Sequence, residues 1–118
     1  MARNLRRANP YEIMWVIVMF DLPVSSKADM RRATGFRNNL LELGFSRKQF
    51  SVYMRHAENL EKAKNIAQKV KNCLASDGMV TVMYITDRQY GMVENYFGKK
   101  KTKNEAKVLQ KQEQLLLF

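Results

Sequence analysis

A chain of 118 residues is the size of a single domain, with room for one modest core and no need of metal or disulfide staples. Its one cysteine (Cys73) and one histidine (His56) exclude an internal disulfide and a zinc site built by one chain. Lys and Arg number 21 against 11 Asp and Glu, a formal charge of +10 that points to a polyanionic partner, nucleic acid first.

That charge is clustered. Residues 1–7 carry Arg3, Arg6 and Arg7 with no acid, residues 27–48 hold six basic and two acidic side chains, and residues 95–118 repeat that ratio. Residues 49–94 are nearly balanced. Dispersed charges merely aid solubility, whereas clusters neutralise phosphates and release counterions. The apolar run after the basic start ends in Asp-Leu-Pro with no small-residue cleavage site, so no signal peptide is expected. No stretch approaches membrane-spanning length; a cytoplasmic protein with no membrane partner is expected.

The first predicted element is a strand over the eight apolar residues Ile13 to Phe20, closed by Asp21 and broken by Pro23. Alternation divides it into Ile13, Trp15, Ile17, Met19 and Met14, Val16, Val18, Phe20. Both faces are apolar, so both need cover. Ser25 or Ser26 then caps a helix with Asp29 in its first turn. Met30, Ala33, Phe36, Leu40 and Leu43 form its buried stripe, and Gly44 supplies the stop. From Phe45 to Arg55 the chain reads as extended, with Phe50, Val52 and Met54 alternating with Ser51, Tyr53 and Arg55. Ser46-Arg47-Lys48 is either the first part of a bent strand or a short hairpin partner.

A second helix is predicted from about Asn59 to Ala75, burying Leu60, Ala63, Ala67, Val70 and Leu74. Asp77-Gly78 signals a turn into a strand over Met79 to Thr86. Residues 87–97 read as a short helix through Tyr90, Val93 and Phe97, and residues 98–107 as a basic loop. Leu115-Leu116-Leu117-Phe118 reads as an apolar terminal strand. Dividing 45–56 into two strands gives βαββαβ, an α+β, ferredoxin-like sandwich. It occupies 1–97 with a short basic N-terminal extension, and 98–118 forms a basic tail ending in the extra strand. Such a sandwich leaves one sheet face bare. The apolar strands at 13–20 and 79–86 therefore call for a second subunit, most simply a two-fold homodimer. The chain's own tail is the competing cover.

Asp21 is the leading chemical candidate. By default an Asp before Leu-Pro forms a turn, bonding backbone amides two residues on. The sharper reading is metal-dependent phosphodiester cleavage, in which carboxylates hold magnesium that activates water and steadies charge on phosphate. One carboxylate is too few, but a dimer presents Asp21 from both subunits near its axis. Lys27, Arg31 and Arg32 open the first helix and suit a phosphate backbone; Lys99, Lys100, Lys101 and Lys103 form a second patch without base specificity. His56 reads as an exposed linker residue and Cys73 as a small core hydrophobe. Ser51 has no sequence neighbour to activate it as a nucleophile. Trp15, Phe20, Phe36, Phe45, Phe50 and Tyr53 are expected in the core, which argues against a base-stacking surface.

The pairing of Val18-Met19-Phe20-Asp21-Leu22 with Gln49-Phe50-Ser51-Val52-Tyr53 resembles the CRISPR-associated Cas-two family, over roughly Ile13 to Thr86. The Asp-Leu-Pro wording and the basic extensions are most similar to its type II variant. The resemblance implies a ferredoxin-like homodimer that bridges dimers of the Cas-one integrase in a heterohexamer-like complex. That complex supports the duplex DNA prespacer during spacer acquisition. The resemblance also implies magnesium-dependent endonuclease activity on RNA or DNA, single-stranded RNA included, with Asp21 catalytic and metal-binding. By position it places Lys27, Arg31 and Arg32 on DNA, and Leu115, Leu116, Leu117 and Phe118 in subunit contacts. The Arg-rich start and the 99–103 segment depart from the commoner pattern. The competing expectation is a ferredoxin-like RNA-binding module without catalysis.

Overall fold

Residues 11–99 are described by the structure, a computed structural model. In chain order they form β1 (Met14–Asp21), α1 (Lys27–Glu42), β2 (Ser46–Gln49), β3 (Val52–Ala57), α2 (Leu60–Lys71), β4 (Met79–Thr86) and α3 (Asp87–Tyr90). The four strands make one antiparallel sheet in the order β2-β3-β1-β4. With α1 and α2 packed on one face, this is the expected α+β, ferredoxin-like sandwich. β1 is an interior strand, paired with β4 from Met14↔Thr86 to Asp21↔Met79 and with β3 from Met14↔Ala57 to Met19↔Val52. An interior position is what its unbroken apolar run required.

Met14, Val16, Val18 and Phe20 point to the helices and meet Phe36 and Leu40 of α1 and Ala63, Ile66 and Val70 of α2. Phe20 centres an aromatic group, with Phe36 edge-on at 5.1 Å and Tyr53 at 5.6 Å. α1 begins where its side-chain cap allows: the Asp29 N–H donates to Ser26 Oγ at 3.0 Å. It ends before Gly44, whose φ of +87° suits the residue beyond a helix end. Arg55 closes that end by donating to the Leu43 carbonyl.

Several details depart from the sequence expectations. Met30 lies on the flank of the α1 stripe and is half exposed. α2 stops at Lys71, so Leu74 falls outside it and stays exposed, while Ile66 joins Ala63 and Val70 on the buried face. β2 and β3 form a hairpin with an irregularity between Arg47 and Gln49, deciding between the two readings of that stretch. The predicted helix over 87–97 is only Asp87–Tyr90, held by a Thr86–Gln89 capping box and closed at Gly91. His56 is exposed as expected but lies within β3, not in a linker. Phe50 leaves the core altogether, because it sits in the turn between β2 and β3. Cys73 is half-buried against the core, and burial raises its thiol pKa. The basic start at Arg3, Arg6 and Arg7, the lysines Lys100, Lys101 and Lys103, and the predicted terminal strand over Leu115–Phe118 lie outside the described residues. Among those described, no helix is long and apolar enough to cross a membrane.

Candidate functional site

The sheet face turned away from α1 and α2 carries Trp15, Ile17 and Met19 from β1, Val52 and Met54 from β3, and Met79, Met83 and Ile85 from β4. None of these belongs to the helix-side core, but Ile17 and Met54 in the middle of the face are buried all the same. One end of the face is shielded by α3: Tyr90 stacks on Trp15 at 4.0 Å, and Trp15 Nε1 donates to Asp87 Oδ1 at 2.8 Å. Trp15 is therefore only half-buried, and it owes that cover to a segment far away in sequence. At the opposite end Met79 remains 69 % exposed.

Asp21 occupies that opposite end. It is the last residue of β1, exposed, paired across the ladder with Met79, and by alternation on the same face as Met19. Its backbone is held between two turns. On one side the Phe20 N–H donates to the Ser51 carbonyl at 3.1 Å. On the other, Gly78 approaches so closely that a Cβ there would lie 2.6 Å from the Asp21 carbonyl oxygen and 2.8 Å from Leu22 Cδ2. Gly78 also has φ +92°, which L side chains rarely adopt. Gly78→Ala is accordingly expected to cost about 1–3 kcal/mol of stability and to displace the Asp21 turn. Denaturant unfolding checks the first effect, and an unchanged midpoint contradicts it.

Among the described residues, the Asp21 carboxylate makes no hydrogen bond or ion pair, so its default role as a turn former is not realised. Nor do the described residues contain any group of three or more His, Cys, Asp or Glu side chains able to hold a metal. One protomer thus offers a lone carboxylate, which does not fit a divalent ion by itself.

The three predicted cations at the start of α1 are not equivalent. Lys27 and Arg31 are exposed and outside any ion pair among the described residues. Arg32 is committed to Asp29 at 2.5 Å. The Ser25 hydroxyl first, and Arg32 next, hold the Asp29 carboxyl below its ordinary pKa. Lys99 is exposed. Sequence reasoning missed Arg37, whose guanidinium carbon lies 4.4 Å from the Phe50 ring centroid and 5.7 Å from that of Phe20. Its signal was the Phe50-Ser51 turn, which interrupts the alternation that the sequence carries through to Arg55.

These features define a class: a small, basic, ferredoxin-like protein whose central strand ends in an exposed carboxylate on an apolar face that is buried at Ile17 and Met54 and open toward Met79 and Met83. Comparison with known proteins narrows it further. The chain belongs to the CRISPR associated protein Cas2 family, whose profile matches residues 14–93. It is 42% identical over 94 residues to the CRISPR-associated endoribonuclease Cas2 of Flavobacterium psychrophilum, covering 80% of this chain and 82% of that protein. The protein of the same name from Paracidovorax avenae is 42% identical over 89 residues, 75% of this chain and 82% of its own length. That from Parvibaculum lavamentivorans is 40% identical over 88 residues, 75% and 87% of the two chains.

Proposed function

We propose that this chain works as a two-fold dimer that cleaves RNA with magnesium and also serves spacer acquisition. The observation that carries the reading is the position of Asp21, a carboxylate without a partner among the described residues, at the open end of that apolar face beside the exposed Met79. Joining two such faces covers the hydrophobic surface and brings a second Asp21 into play. Magnesium would be held by Asp21 of both copies, where it supplies an activated water and neutralises phosphate charge. The chain's own work is to present the two acids on a rigid strand end and to hold the backbone with Lys27 and Arg31. RNA as substrate follows from the name shared by the curated relatives.

In spacer acquisition the dimer bridges dimers of the Cas-one integrase and supports the prespacer duplex, roles that rest on family membership together with the net charge of +10. Lys99, Lys100 and Lys101 are assigned to nonspecific phosphate contacts. Leu115, Leu116, Leu117 and Phe118 are assigned to subunit contacts, and β4, outermost in the sheet of described residues, offers an edge for such a strand. The direct test is single-stranded RNA incubated with purified protein. Cleavage should require added magnesium, vanish with EDTA, and return when magnesium is restored in excess. Cleavage that persists in EDTA rejects the metal-dependent reading.

A further inference from the structure

We propose that Phe50, with Arg37 packed against its ring, is a stacking platform for one unpaired nucleobase. The inference rests on the nucleic-acid reading above and adds to it a contact that discriminates single strands from duplex.

Phe50 is 65 % exposed at the tip of the β2–β3 hairpin and belongs to no part of the core. A large aromatic ring left in water carries a free π-face, and any base can stack on it. Arg37 stiffens this surface from the other side. Its guanidinium is held between Phe50 at 4.4 Å and Phe20 at 5.7 Å, with no ion pair among the described residues. Its Nε is buried and makes no hydrogen bond. The cation is thus fixed in direction by rings, while its charge remains uncompensated, as a phosphate next to a stacked base requires. The hydrogen bond from Phe20 N–H to the Ser51 carbonyl pins the hairpin tip to the end of β1 that carries Asp21. Phe50 packs with Arg37 of α1 and Asp21 lies on the opposite face, so the platform and the acid flank the same end of the sheet. Duplex bases are already stacked on one another and have no free face to offer. An apolar protein segment would also cover Phe50, but it would not answer the open charge of Arg37.

The test is equilibrium binding by the full chain, without divalent metal, to three fluorescent probes. These are a single-stranded RNA, the same strand with abasic positions, and a duplex of equal length. The wild-type protein should bind the base-bearing strand about tenfold more tightly than the abasic one. Phe50→Ala should erase that difference while leaving duplex affinity unchanged, and Phe50→Trp should restore it. Because Phe50 contributes its contact with Arg37 and no core packing, the protein should stay cooperatively folded with at most a small drop in its unfolding midpoint, which separates this effect from misfolding. Equal affinity of the wild type for base-bearing and abasic strands overturns the platform alone. Phe50→Ala binding that weakens equally on all three probes does the same. A wild-type chain that binds none of the probes overturns the proposed function itself.

Discussion

Asp21→Asn should lower magnesium-dependent RNA cleavage by at least about 100-fold, because loss of a direct metal ligand costs more than loss of its supporting partners. The substitution keeps the shape and removes only the charge. The side chain is exposed and makes no hydrogen bond or ion pair among the described residues, so the unfolding midpoint should stay put. The same variant separates the two activities assigned to the dimer. Spacer acquisition, assayed in cells that also carry the integrase, should continue, since bridging and duplex support draw on charge and shape, not hydrolysis. Acquisition lost together with cleavage would place hydrolysis inside the integration pathway. Undiminished cleavage would remove Asp21 from the active centre.

The parts legible in the sequence are those where one periodicity runs unbroken. β1 was readable because an interior strand is apolar on both sides, and α1 because Ala33, Phe36 and Leu40 repeat at helical spacing up to Gly44. Family resemblance, carried by the β1 end and the Gln49–Tyr53 stretch, was equally clear. What escaped depends on where a pattern stops. Phe50, Val52 and Met54 alternate as one strand would, yet a turn at Phe50 and Ser51 cuts the series and turns the first ring outward. Leu74 kept helical spacing beyond the last turn of α2, and so looked buried when it is not. The Trp15–Tyr90 stack joins residues that no local window contains. The candidate site follows the same division. Asp21 announced itself by ending an apolar run, but Gly78 and Arg37 gain their contacts only through packing between segments distant in sequence.

Charging the open part of that apolar face should produce the other large effect. Met83 stands opposite Ile17 on that face and is 39 % exposed in the protomer, so Met83→Asp leaves the helix-side core untouched. In a dimer closed through this face, the new carboxylate would be buried twice, once from each copy, without a cation to meet it. Uncompensated burial costs several kcal/mol. About 4 kcal/mol raises the dissociation constant roughly 1000-fold, enough to give a monomeric mass by sedimentation at micromolar concentration. Leu41→Asp is the matched control: Leu41 is half exposed on α1, in the helix layer of the sandwich, and its substitution should leave the dimer intact. Cleavage should then follow mass, lost in Met83→Asp and kept in Leu41→Asp, because one chain supplies a single carboxylate. A Met83→Asp protein that stays dimeric would move the subunit contact elsewhere. A monomeric Met83→Asp protein that still cuts RNA would show that Asp21 needs no second copy, and the shared centre would have to be abandoned.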